Sequence, residues 1–232
     1  ILGRIQEPEK YIVDDSMLIP PLPAEEAAKV EITRGPNIKF LPIPEVPQQH
    51  LKAGVSLKAR DNVSTDDITP ASAEFSSMRS NIPLMSKYCY TRYDPEFAER
   101  ARSMGQSFII GGENYGQGSS REHAAINPMY LGVRCVIAKS IARIHKGNLV
   151  NHGIIPMLFA DPAAYDSIDQ GDELEIENLL DQIPTRKVTV KNATKHFEFQ
   201  VTLDLTDNEI DVVLCGGQLR YLKKQLAEME EI

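Results

Sequence analysis

The sequence has no basic block, no long apolar run and no paired-cysteine motif, and each absence removes a class of function. Lysine and arginine number 25 against 33 acidic residues, a formal charge of −8. Duplex nucleic-acid binders carry a clustered positive footprint that this chain lacks, which leaves room only for a local positive pocket. No apolar run approaches ~18 residues, so no membrane-spanning helix is expected. The start, Ile1-Leu-Gly-Arg4, has no charged segment followed by an apolar core and does not read as a signal peptide. Cys89, Cys135 and Cys215 stand far apart with no Cys-x-x-Cys. That spacing offers no evident metal or redox site and fits a reducing compartment, the cytoplasm. Asn62-Val-Ser64 and Asn192-Ala-Thr194 match the glycosylation pattern, and without a secretory signal both read as chance. Beginning without Met, the chain reads as a piece of something longer.

What is present suffices for one sizeable domain or two small ones: 232 residues bury ~70–75% of the unfolded surface on folding. Residues 1–49 are dotted with prolines, from Pro8 to Pro47, and read as an extended linker crossing a surface. The globular part begins near His50. A strand is expected over Gly54–Ala59 and a helix over Asp94–Ser103, with Asp94 as N-cap and Pro95 in the first turn. Strands over Ser107–Ile110, Val133–Ala138 and Ile154–Phe159 alternate with helices, one ending near Gly132 and the other over Ser140–His152. Such spacing predicts parallel crossover units. A short proline-started helix follows at Asp161–Asp166. Downstream the period changes to strict alternation at Glu173–Glu177, Lys187–Lys191 and His196–Leu203, the pattern of an antiparallel layer with one wet face. Gln218–Glu230 then carries Leu219, Leu222 and Leu226 as one apolar stripe of a last helix. The class is α/β.

The chemistry concentrates in Gly111-Gly-Glu-Asn-Tyr-Gly-Gln-Gly-Ser-Ser-Arg-Glu-His-Ala-Ala125, between the Ser107 strand and a helix opening. The Walker phosphate loop fails, because Gln117-Gly118 replaces its Lys and Ser/Thr. The dinucleotide fingerprint fails as well, with Arg121 where its third glycine belongs. What remains is a glycine turn whose N–H groups face an anion at a helix N-terminus. Ser119 and Ser120 occupy N-cap and first-turn positions, with Glu122 at capping-box spacing from Ser119. Arg121 adds a forked cation suited to a carboxylate. The same residues also describe a plain capped helix with its arginine in a surface pair. Upstream, Asn62-Val-Ser-Thr-Asp-Asp-Ile68 reads either as a turn and N-cap before Pro70 or as a second source of site carboxylate.

The string Gly112-Glu-Asn-Tyr-Gly-Gln-Gly-Ser-Ser-Arg-Glu-His-Ala-Ala125 resembles the signature of the aconitase C-terminal swivelling domain. The small subunit of isopropylmalate isomerase carries a similar Gly-Ser-Ser-Arg-Glu-His core. The lead-in Gly112–Gly118 and the run Ala138-Lys-Ser-Ile-Ala-Arg-Ile-His145 are closer to aconitase. The resemblance runs from about Leu51 to the last helix and implies a three-layer β/β/α swivelling domain over residues 50–232.

By that resemblance Ser119 is the base that removes a carbon-bound proton, and Ser120 and Arg121 bind substrate carboxylate. Asp66 is then the active-site carboxylate, expected to orient an arginine, because a desolvated guanidinium needs a paired anion. Asp67 is left unassigned. Arg79, otherwise a surface arginine, matches one that grips a substrate carboxylate. His123 tempts a Ser–His pair, but four residues past Ser119 it reads better as a satisfied buried histidine. Arg143 and His145 read as structural or inter-domain contacts.

The implied reaction is citrate–isocitrate interconversion through cis-aconitate, part of the tricarboxylic acid cycle. In it a [4Fe–4S] cluster acts as Lewis acid on the departing hydroxyl. That cluster's ligands lie in domains absent from this chain, so the partners implied are cluster-bearing domains and a tricarboxylate. The chain alone is expected to bind no cluster and to turn nothing over. Two alternatives follow from the same residues: isopropylmalate or homoaconitate isomerisation, and an RNA-binding regulatory role, which the acidic balance disfavours.

Overall fold

The structure, a computed structural model, describes residues 11–230. It divides into two compact units at Gly35–Pro36. Of the first unit, the described residues 11–35 are exposed and contain one single-turn helix, α1 (Ala24–Ala27). Residues 1–10 of the expected linker lie outside the described residues. Its later part, residues 36–49, belongs to the second unit and is tied to it by main-chain bonds. Lys39 N donates to Ser80 O (3.0 Å), and Leu179 N donates to Gln49 O (2.8 Å). Arg220 Nε donates to Pro44 O at 2.8 Å.

The second unit is built on seven strands: β1 (Leu51–Lys58), β2 (Ser107–Gly111), β3 (Val133–Ala138), β4 (Ile155–Phe159), β5 (Glu173–Ile176), β6 (Lys187–Asn192) and β7 (Phe197–Thr202). β1 to β4 pair in parallel, as the alternation of strands and helices predicts. β5 to β7 pair antiparallel, as their strict alternation predicts. The two sets are joined to each other on both sides. β4 hydrogen-bonds β7, and β5 hydrogen-bonds β1, so one sheet closes in the order β1-β2-β3-β4-β7-β6-β5. Closure leaves no free edge.

Single-turn helices α2 (Thr65–Ile68), α3 (Ala73–Ser76) and α4 (Ile82–Met85) fill the β1–β2 connection, followed by α5 (Phe97–Met104). α6 (His123–Tyr130) and α7 (Arg143–Asn151) are the crossovers after β2 and β3. After β5 comes α8 (Leu179–Gln182), and the chain ends in α9 (Asp207–Leu214) and α10 (Gln218–Glu230). α9 was not legible in the pattern; a capping box of Thr206 and Glu209 starts it, and Ile210, Val212 and Val213 bury its inner face.

Strand alternation splits the core in two. Phe108, Ile110, Cys135 and Ile137 point into the barrel, and Ile109, Val136 and Ala138 point to the helices outside. β1 breaks the rule: Val55 faces in and Leu57 faces out although they stand two positions apart, a spacing that normally shares a face. The register shift between these positions explains it, since a bulge turns the following side chains over. Buried Ser56 sits at the bulge and donates to Phe108 O at 3.1 Å.

The stripe on α10 is present but faces outward, with Leu219, Leu222 and Leu226 at 50%, 43% and 61% exposure. Ile137→Ala should therefore lower the unfolding free energy by ~2–5 kcal/mol. Leu222→Ala should change it by no more than ~0.5 kcal/mol. Urea denaturation of the two variants checks both values.

Candidate active site

Two loops meet at the C-terminal ends of β1 and β2 and are zipped together by their main chains. Asn62 N donates to Glu113 O (2.7 Å), Gly116 N to Val63 O (2.7 Å) and Thr65 N to Gln117 O (2.9 Å). The Thr65 hydroxyl then donates to Ser119 O at 2.8 Å, which fixes the carbonyl of the candidate base. Two glycines allow this approach. A Cβ on Gly112 would lie 2.1 Å from Asp61 Oδ1 and 2.6 Å from its backbone nitrogen. Gly116 has φ +76°, and a Cβ there would lie 2.1 Å from the His145 ring, so no L side chain fits. Between them Tyr115 plunges into the core, where its hydroxyl bonds that of Tyr90.

The paired aspartates divide their work. Ser64 caps α2, and Asp67 completes the capping box, its carboxylate accepting from Ser64 N at 2.8 Å. Asp66 points the other way and forms an ion pair with Arg121. The turn-and-cap reading of this loop thus describes Ser64 and Asp67, and leaves Asp66 free to pair with Arg121. Asp66 is expected to orient an arginine, and the arginine it pairs with is Arg121.

The expected cap at Ser119 is not formed. α6 begins at His123 with Glu122 at the N-cap position and no side-chain cap, and Glu122 turns instead to His152 Nε2 at 3.1 Å. Tight turns at Gly116 and Gly118, both at positive φ, delay the helix by a turn. Ser119 and Ser120 thus stand exposed on the approach to α6 instead of being used up as caps. With Arg121 they line a cleft of about 220 Å³, whose far wall is Ala142, Arg143, Ile144, His145 and Asn148 at the start of α7.

Arg79 is not brought into this cleft. It lines a neighbouring cavity together with Glu122, His123 and His152, and its carbonyl oxygen lies 2.9 Å from His123 Nε2. His123 is thereby satisfied away from Ser119, though it is half-buried instead of fully enclosed. Of the α7 residues, Arg143 and His145 are the ones expected to make structural or inter-domain contacts, and Ile144 and Asn148 were not singled out. A usable signal was there: Arg143, Ile144, His145 and Asn148 follow a strand end at the same edge of the parallel sheet as Ser119, where ligands collect in such sheets.

Electrostatically the cleft is positive within an acidic chain, since no carboxylate is among its lining residues. Arg121 is matched by Asp66, and Arg143 has no acidic partner among the described residues. His145 is 1% exposed and neither ring nitrogen has a hydrogen-bond partner; burial pushes its pKa down to about 4. The described residues do not fit an iron–sulfur cluster. Among the described residues no three metal-ligating side chains group together. Cys89 and Cys135 are buried, and burial pushes the Cys89 thiol up to about 12, away from the thiolate a metal needs.

Asp67→Ala should cost ~1 kcal/mol of stability through the lost cap, whereas Asp66→Asn, at an exposed ion pair, should cost ~0–1 kcal/mol; thermal denaturation separates them. His145 binds its proton more readily unfolded than folded, with pKa about 4 in the fold against ~6.5 when exposed. Stability should therefore fall as pH drops from ~6.5 towards 4. His145→Gln should flatten that slope in urea denaturation run across the window.

Residues 57–162 match the family described as Aconitase C-terminal domain. The 3-isopropylmalate dehydratase small subunit 2 of Archaeoglobus fulgidus is 40% identical over 171 residues, 74% of this chain and 94% of that subunit. A probable mitochondrial aconitate hydratase of Dictyostelium discoideum is 40% identical over 139 residues, 58% of this chain. The aligned part is only 18% of that hydratase. The crystal structure of a 3-isopropylmalate dehydratase from Methanocaldococcus jannaschii matches with a TM-score of 0.66 at 30% identity, covering 78% of this chain and 98% of that one. Identity sustained over nearly all of the Archaeoglobus subunit, on a fold shared with the Methanocaldococcus protein, means that this chain belongs to the family of aconitase C-terminal domains and isopropylmalate dehydratase small subunits.

Proposed function

We propose that this chain is the swivelling domain of an aconitate hydratase and that Ser119 is its base. The observation that carries the reading is the gathering of Ser119, Ser120 and Arg121 in one cleft without carboxylates, with Arg121 held by Asp66. In this reading the Ser119 alkoxide takes a proton from the carbon beside a substrate carboxylate. The C–H electron pair becomes the new C=C bond, and hydroxide leaves the adjacent carbon. A serine alkoxide needs donors aimed at it. The main-chain N–H groups around the turn and the Arg121 guanidinium supply them. Ser120 donates to a substrate carboxylate, and Arg121 binds it. Arg79, one cavity away, is left without a role in the cleft.

The departing hydroxide requires an acceptor that this chain does not supply. The reading therefore needs partner domains, on the same polypeptide or on a separate subunit, and the resemblance gives these the [4Fe–4S] cluster. A second reading, the small subunit of an isopropylmalate dehydratase, is favoured by coverage: the chain aligns with 94% of one such subunit and 18% of the aconitate hydratase. Both are hydro-lyases, and Ser119 is the proposed base in either reading.

Assays of the chain joined to its cluster-bearing partner, with citrate and isopropylmalate offered separately, discriminate between them. Turnover of citrate to cis-aconitate is expected, and Ser119→Ala should lower kcat by ~10²–10⁴-fold with substrate still bound. Retained turnover in Ser119→Ala rejects the base assignment, and turnover of isopropylmalate alone selects the second reading.

A further inference from the structure

The α7 wall of the cleft has more binding capacity than the residues matched to the family use. α7 starts at Arg143 after Ala142, whose side chain cannot cap it, so the N–H groups of its first turn lack intrahelical acceptors and face the positive end of the helix dipole. A helix start alone would not mark a site. Here three further observations coincide on the same wall. His145 is buried with both ring nitrogens unpartnered, and Asn148 Nδ2 is buried and unpartnered three residues on. Positions three apart on a helix share a face, and both side chains line the cleft that holds Ser119. Arg143 lines it as well, exposed and without an acidic partner among the described residues. Buried polar atoms are normally satisfied, and leaving one unpaired costs ~1–3 kcal/mol. Several in one cavity wall are explained by a ligand that supplies their partners.

We propose that the first turn of α7, with Arg143, His145 and Asn148, is a second carboxylate subsite of the cleft. It takes the carboxylate remote from the carbon that loses its proton. The deduction rests on the reading of Ser119 as base and deepens it: the substrate is a polycarboxylate bridging α6 and α7, with one carboxylate at Ser120–Arg121 and another at Arg143–Asn148. Neutral His145 contributes a ring N–H without competing for the charge.

Tricarballylate, a tricarboxylate without a hydroxyl group to lose, is the probe, because its binding does not depend on turnover. Calorimetric titration into the full protein with its cluster-bearing domains should show Arg143→Gln weakening binding by ~10-fold or more. Asn148→Asp, isosteric but repelling an anion, should weaken it at least as much. In steady-state assays Arg143→Gln should raise KM with little change in kcat, the mark of lost ground-state binding. Wild-type affinity for tricarballylate in Arg143→Gln overturns the subsite, as does failure of the wild-type protein to bind it; Arg143 is exposed, so this variant decides even if Asn148→Asp does not fold. Retained turnover in Ser119→Ala would instead overturn the base assignment, so the two failures are told apart.

Discussion

The site depends on two loops being held backbone to backbone. Neither the segment Asn62–Ser64 leading into α2 nor the glycine turn Gly112–Gly118 has regular structure that would fix it alone, and the two loops supply each other's hydrogen-bond partners. Three main-chain bonds and the Thr65 hydroxyl hold Ser119 to within the tolerance of hydrogen-bond geometry. The approach is close enough that Gly112 and Gly116 must lack side chains. Tyr115, anchored in the core against Tyr90, ties the same turn to the packed interior. A serine on a loop thereby gains the rigidity of an element, which a pre-organised site requires.

Charge is arranged by the same contacts. The chain carries a net charge of −8, yet no carboxylate lines the cleft. Of the two aspartates nearest to it, Asp67 is absorbed by the capping box and Asp66 by Arg121. The Asp66–Arg121 pair orients the guanidinium while cancelling its charge, so the unmatched positive charge on the cleft wall belongs to Arg143 and to the start of α7. A polyanion entering between α6 and α7 would meet donors on both sides and no repelling group.

Much of the fold was legible because its signals are local. The apolar runs at β2, β3 and β4 between helical segments implied parallel crossovers, and the alternating tail implied antiparallel pairing; each needs only the periodicity of its own residues. The register shift in β1 that sends Val55 inward and Leu57 outward had no such signal, because a bulge depends on the partner strand. Closure of the sheet through β4–β7 and β5–β1 was hidden for the same reason. α9 went unread, although Thr206 and Glu209 form a capping box. The α10 stripe was read correctly as a pattern and faces outward, since periodicity reports an apolar face and not what covers it.

By itself the sequence determined which residues could do chemistry: a glycine turn followed by two serines and an arginine has a composition that serves anions, and a string of that length identifies its family. Only the tertiary structure decided how they are used. It moved the start of α6 past Ser119, gave Asp66 to Arg121, left Arg79 in a neighbouring cavity and brought Arg143, His145 and Asn148 across from the serines. The physical reason is that hydrogen-bond partnership and burial are set by neighbours 20 to 60 residues away, as between Asp66 and Arg121 or Thr65 and Ser119. No window along the chain contains that information.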